Sequence, residues 1–242
     1  MAAPLFVLIH SPLVGPRTWS GVAARLRSRG AGVAVPVLRD RGSTSGPFWY
    51  QDALAVAAMV QALPAGRPLV LVGHSGAGPL LPAIRQLAER DVALYLFVDA
   101  GIPVDGASRL DLLRDEMPEM GATLEQHLRE GGRYPGWRDE DLVEVLPDDH
   151  ARRQIIEEMQ PRDLPFWTEP LPVFPGWPDA PCAYLQLSSG YAVPAARARS
   201  DGWLHREVDA GHFHMLADAD AEIILDLARG AGIPVALGGP AP

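Results

Sequence analysis

Apolar residues along this chain fall into two alternating patterns. Short unbroken runs, at 4–10 "PLFVLIH", 32–38 "GVAVPVL", 67–74 "RPLVLVGH", 92–99 "VALYLFVD" and 182–188 "CAYLQLS", show almost no polar alternation. Such runs predict strands covered on both faces, as in a parallel sheet between helices. A weaker run at 204–209, "LHREVD", predicts a sixth strand nearer an edge. Between the runs lie helix-length stretches with apolar residues three and four apart: "PRTWSGVAARLRSRG", "WYQDALAVAAMVQALP", "AGPLLPAIRQLAER" and "ADADAEIILDLARG". The alternation predicts an α/β fold, a doubly wound, mostly parallel six-stranded sheet with helices on both faces.

The alternation fails once, between about Gly101 and Asp179. That stretch holds short acidic helical segments, "SRLDLLRDEM", "TLEQHLRE", "DEDLVEVL" and "DDHARRQIIEEM", followed by "LPFWTEPLPVFPGWPDAP". An insertion at the C-terminal end of a strand is where such sheets carry lids over ligand crevices. The organisation expected is a core over 1–103, a helical lid over 104–180, the rest of the core over 181–229, and a loose tail over 230–242. No internal repeat stands out.

Composition narrows the chemistry. A chain of 242 residues can bury a full-sized core as one α/β unit, and a formal charge of −9 argues against a nucleic-acid backbone binder. The chain contains no Lys, which removes Schiff-base chemistry and Walker-type phosphate binding. One cysteine, Cys182, allows no internal disulfide and fits a cytoplasmic location. No apolar stretch is long enough to span a membrane, and the opening run reads as a first strand rather than a signal peptide. No metal cluster is indicated, and the oligomeric state is not legible.

The stretch 69–81, "LVLVGHSGAGPLL", leaves a buried strand through small residues and re-enters a helical pattern. A sharp strand-to-helix turn needs small residues two before and two after its apex, and Gly73 and Ala77 flank Ser75 in that way. Such a turn lifts the serine hydroxyl above the sheet and aims the next N–H, that of Gly76, at the same spot. This pattern resembles the nucleophile elbow of the α/β-hydrolase family. The motif reads G-x-S-x-A-G rather than strict G-x-S-x-G.

The resemblance extends over residues 4–228. It is nearest to compact esterases and hydroxynitrile lyases, whose opening is similar to "FVLIHSPLVGPRTWSGVAARLRSRG". It implies a histidine on the loop after the last strand, and "VDAGHFHML" supplies His212, with His214 two residues on facing elsewhere. His74 is expected to support the turn from behind. His127 and His150 read as solvated, and His205 as a strand residue. No cofactor is implied.

Two family features are missing. The acid usually follows the next-to-last strand, but the corresponding segment is "LSSGYAVP", with Tyr191 at the acid's position. Some relatives take the acid one strand earlier, which points to Asp99, although an Asp there is also a common turn-former. Asp209 lies too close to the histidine loop, and Asp201 reads as an exposed helix end. The second break is in the oxyanion loop, where His10-Ser11-Pro12 stands for H-G-x and proline has no N–H. Either Leu13 donates from a shifted loop, or the Ser11 hydroxyl substitutes, or the reaction needs one donor fewer. Hydroxynitrile lyases carry a hydroxyl residue at the position of Ser11, but also a Lys after the histidine, where this chain has Phe213. Cyanohydrin cleavage is therefore disfavoured.

Phe166, Trp167, Phe174 and Trp177 precede the fifth strand, where the pocket roof is expected; packing the lid to the sheet is an equal role for them. With Tyr191 and Phe213, Phe166 and Trp167 are the candidate substrate contacts. The expected activity is a serine hydrolase acting on a small, mostly apolar ester or thioester, with Ser75, His212 and Asp99 as triad. Two alternatives stay open: a cyclase, dehydratase or lyase on the same fold, and a small-molecule-binding protein with catalysis weak or lost.

Overall fold

The structure, a computed structural model, describes residues 3–38 and 46–235; the last part of the expected tail, from 236 on, lies outside the described residues. Six strands, β1 (Leu5–Ile9), β2 (Gly32–Ala34), β3 (Leu69–His74), β4 (Leu94–Val98), β5 (Cys182–Gln186) and β6 (Leu204–Glu207), form one sheet. Their order is β2-β1-β3-β4-β5-β6, and every pairing is parallel. The uniformly apolar runs account for this. All residues of β1, β3, β4 and β5 are buried, and each strand divides its side chains between two cores.

On one face Val7, Leu71 and Phe97 pack against α2 (Phe48–Ala62), α3 (Leu81–Ala88) and α9 (Ala192–Ser200). On the other, Phe6, Val72 and Leu96 pack against α1 (Ser20–Ser28) and α10 (Asp220–Gly230). The edge strand β6 is mostly exposed, as its polar sequence predicts.

Three details depart from the sequence pattern. The strand expected over 32–38 stops at Ala34, because Pro36 has no N–H to continue the ladder at this sheet edge. The helix expected from Ala77 begins as a 3₁₀ turn over Ser75–Leu80 and becomes α-helical only at Leu81. Pro79 and Pro82 remove two donors from an α-helical ladder there. Helix α9 was not among the predicted helices, since its face lacks the usual apolar spacing.

Between β4 and β5 the chain forms α4 (Arg109–Glu116), α5 (Pro118–Arg129), α6 (Asp139–Leu142), α7 (Asp149–Glu157) and α8 (Leu164–Thr168). This helical lid has its own small core, in which Leu110, Leu124, Leu128, Phe166 and Trp167 meet Phe48 of α2. A buried ion pair ties lid to sheet layer. Arg109 donates to Glu169 at 2.8 Å, and Glu169 accepts the free backbone N–H groups of Phe48 (2.8 Å) and Trp49 (2.7 Å) at the start of α2. Among the described residues no helix is long and apolar enough to cross a membrane.

Candidate active site

Ser75 sits at the apex between β3 and the 3₁₀ turn with φ of 55°. That left-handed conformation is strained for a residue with a side chain. Small neighbours permit it. A Cβ on Gly73 would lie 3.2 Å from Gly78 N, and one on Gly78 would lie 2.3 Å from the Gly101 carbonyl oxygen. Gly78 is therefore the tightest position of the bend, beyond the Gly73 and Ala77 named from the sequence.

Asp99, at the end of β4, is likewise strained, with φ of 43°. The two strained residues are bonded to each other: Ser75 N–H donates to the Asp99 carbonyl at 3.1 Å.

The Asp99 carboxylate is fully buried and fully engaged. Its Oδ1 accepts from Leu187 N–H (2.7 Å) and Ser188 N–H (3.0 Å). Its Oδ2 accepts from the Ser188 hydroxyl (2.5 Å) and from His212 Nδ1 (2.9 Å). The same Leu187 receives, on its carbonyl, the N–H groups of Ala210 (3.1 Å) and Gly211 (2.9 Å). One residue after β5 thus holds both the carboxylate and the loop bearing His212. With Nδ1–H committed to Asp99, neutral His212 presents a bare Nε2.

His74 lies directly behind this pair. It is fully buried, and its ring centre is 4.5 Å from that of His212. Burial holds its pKa well below the usual histidine value. Its Nε2–H donates to the His212 carbonyl at 3.0 Å, which fixes a neutral tautomer and leaves Nδ1 without a partner. His214 turns away to a separate carboxylate, Asp220, at 2.8 Å. His127 and His150 are exposed on the lid, His205 lies on β6, and Asp201 is the exposed residue closing α9.

Tyr191 does not take the acid's place beside Nδ1. Its ring stacks on the imidazole of His212, centres 5.0 Å apart and planes within 5°, and its hydroxyl lies 3.0 Å from Ser75 Oγ. Ser75 thus bonds to Tyr191 rather than to His212, although both line one cavity. Burial raises the phenol pKa, so Tyr191 stays neutral across the physiological range.

The loop after β1 is pinned from three sides. His10 Nδ1–H donates to the Ser11 carbonyl at 2.8 Å while its Nε2 accepts from Leu38 N–H at 3.1 Å; burial lowers its pKa to about 4, in keeping with the neutral ring. Arg162, 2% exposed, donates to the Pro12 carbonyl through Nε (3.3 Å) and Nη2 (3.2 Å). Gln160 bonds the carbonyls of Leu13 (2.8 Å) and Val14 (2.9 Å).

In the resulting loop Leu13 N–H does not point free into the cavity; it donates to Ser11 Oγ at 3.4 Å. Ser11 Oγ faces Gly76, at 3.3 Å from where a Cβ there would lie. The hydroxyl, already an acceptor from Leu13, keeps its own proton to give. Neither Arg162 nor Gln160 carries a signal in the sequence; they lie in "QPRDLPFW", where periodicity points only to the aromatics.

The cavity measures about 270 Å³ and its floor is formed by Ser75, Gly76, Ser11 and His212. Its walls come mostly from the lid: Leu112, Leu113, Met117, Met120, Trp137, Phe166 and Trp167, with Phe213 from the histidine loop. Two of the four expected roof aromatics lie elsewhere. Trp177 packs on Tyr95, Phe97 and Trp203 over the α2/α9 face, and Phe174 does not line the cavity. A tryptophan beside prolines gives no hint of which face it will cover. The sequence also gave no sign of Glu116, a cavity-lining carboxyl at the end of α4.

Comparison with solved structures finds the same architecture repeatedly. An extracellular α/β-hydrolase from a Paenibacillus species, described as sharing structural and functional homology with tobacco salicylic acid binding protein 2, has a TM-score of 0.71 at 19% identity; 94% of this chain and 98% of that chain are covered. A pyrethroid hydrolase from Sphingobium faniae has a TM-score of 0.71 at 20% identity over 94% and 98% of the two chains. Tomato methylketone synthase I, complexed with 2-tridecanone, has a TM-score of 0.72 at 13% identity over 96% and 99%. At such identities the likeness is one of fold. No curated protein matches the chain by sequence. The model of the alpha/beta hydrolase family matches residues 6–224, from β1 to α10, and the chain belongs to that family.

Proposed function

We propose that this protein is a serine hydrolase acting on a small, mostly apolar ester or thioester. The observation that carries the reading is the His212 Nδ1 to Asp99 contact of 2.9 Å, made beside a serine held on a strained turn. His212 Nε2 takes the proton from Ser75 Oγ as that oxygen attacks the substrate carbonyl carbon. The negative charge that develops on the carbonyl oxygen is met by Gly76 N–H and the Ser11 hydroxyl. Collapse of the tetrahedral species breaks the bond to the alcohol or thiol, which leaves with the proton from His212. Water, deprotonated by the same imidazole, then releases the acid and restores Ser75.

Before the first step the Ser75 hydroxyl must leave Tyr191 and turn to His212. Tyr191 therefore parks the nucleophile away from the imidazole. The lid's leucine, methionine and aromatic walls support an apolar acyl or alcohol portion. A cytosolic location belongs to the same proposal and rests on Cys182, buried and unpaired.

Labelling with a fluorophosphonate probe tests this reading. The wild-type protein should be labelled and Ser75→Ala should not; an unlabelled wild type beside a reactive control esterase would overturn it.

A second reading is favoured by the Ser75–Tyr191 hydrogen bond. A phenol joined to a serine hydroxyl, with an imidazole stacked on the ring, is a proton-handling group suited to elimination or cyclisation without an acyl-enzyme. Ester turnover abolished by Ser75→Ala would exclude it.

A further inference from the structure

Glu116 closes α4 and lines the cavity together with Pro79, Gly101 and Met117. Its Oε1 would stand 3.4 Å from a Cβ on Gly101, two residues beyond Asp99. Among the described residues it forms no hydrogen bond and no ion pair. The other charged side chain on the cavity wall, Arg109, is paired with Glu169 at 2.8 Å and lies 3.9 Å from Asp52, while its Nε and Nη2 make no hydrogen bond.

The charges that act on Glu116 are few. Asp115 on its own helix disfavours ionisation and Arg197 on α9 favours it, while its field reaches the phenols of Tyr184 and Tyr191. Burial is the larger effect, and with Asp115 it lifts the carboxyl to about 7. An unpaired carboxyl facing an apolar cavity is costly unless a ligand supplies its partner. The ester mechanism above does not use it.

We infer that Glu116 is the recognition site for a protonated amine on the substrate, which would make the preferred substrate an ester or thioester with a cationic amine in an otherwise apolar body. A substrate carboxylate would be repelled at this wall. A neutral hydroxyl would gain a single bond, whereas a cation also favours ionisation of Glu116. The inference rests on the hydrolase reading for the word ester, but the amine site itself does not depend on turnover.

Calorimetric titration of the protein at pH 8 with 4-phenylbutylamine and with neutral 4-phenylbutan-1-ol tests it. The amine should bind at least about tenfold more tightly, the scale of one hydrogen bond to a charged group, and should slow fluorophosphonate labelling of Ser75. In Glu116→Gln the ratio of the two affinities should fall to about one; should that variant not fold by circular dichroism, Glu116→Leu is read in its place. Equal binding of amine and alcohol to the wild type overturns the inference, as does a preference that survives both substitutions. An amine preference in a protein that the probe never labels would overturn the hydrolase reading and leave the amine site standing.

Discussion

His212 and Asp99 meet across 113 positions of chain, Nδ1 to Oδ2 at 2.9 Å, and the same carboxylate takes three further hydrogen bonds from Leu187 and Ser188. That arrangement makes the effect of Asp99→Asn derivable. The two backbone N–H groups on the Oδ1 side require an oxygen there, so the new amide nitrogen must occupy the Oδ2 side. It would then donate towards His212 and force the proton onto Nε2, the atom that accepts from Ser75 in the proposed mechanism. Ester turnover should fall by ~10⁴ with little change in fold. Steady-state kinetics beside circular dichroism checks this, and turnover within tenfold of wild type would remove Asp99 from the triad.

Pro12, which has no N–H, stands where the family's H-G-x motif offers its backbone donor, and the Ser11 hydroxyl lies beside it. If the Ser11 hydroxyl is the second oxyanion donor, Ser11→Ala should lower kcat by ~10²–10³ while KM changes little. An unaltered kcat would transfer the role to Leu13 N–H, which the substitution releases from its bond to Ser11 Oγ.

Tyr191→Phe keeps the ring stacked on His212 and deletes only the hydroxyl on Ser75. With the parking bond gone, phosphonylation of Ser75 should speed up by about fivefold, the worth of one neutral hydrogen bond. Stopped-flow labelling measures it. A rate that falls instead would mean that the phenol takes part in the chemistry, as the non-hydrolytic reading requires.

Glu116 makes stability depend on pH in a defined sense. Its folded pKa, about 7, is raised above the ordinary 4.5, so between those values the unfolded chain sheds its proton first. The group's contribution is fully present below pH 4.5 and is lost as pH rises through 7. Glu116→Gln should therefore match the wild type near pH 4 and exceed it at pH 8. Because the side chain is only half-buried, the gain after allowance for solvent screening is about 1–2 kcal/mol. Urea midpoints at the two pH values check it, and a variant less stable than wild type at pH 8 would contradict the sign.

Much of the frame could be read from one dimension because its causes are local. The apolar runs that became β1, β3, β4 and β5 are buried on both faces, and a strand covered on both sides leaves a continuous hydrophobic signature. The elbow is legible for the same reason: Gly73, Ala77 and Gly78 crowd within a few residues of Ser75, so steric demand is written next to its cause. His212 is picked out by the family resemblance, which implies a histidine on the loop after the last strand.

In the sequence Asp99 has to be weighed against Tyr191, Asp201 and Asp209, since nothing adjacent in the chain says that Leu187 and Ser188 will fold around its carboxylate. Other pairings across long separations leave no trace in the sequence. Tyr191 reaches Ser75 over 116 positions and Arg162 reaches the Pro12 carbonyl over 150. The unpartnered Glu116 looked like one more acid on a solvated lid helix. Periodicity reports which face of an element is apolar; which two polar atoms end within 3 Å of each other, or which carboxyl is stranded in an apolar cavity, is decided by packing between elements that share no local sequence.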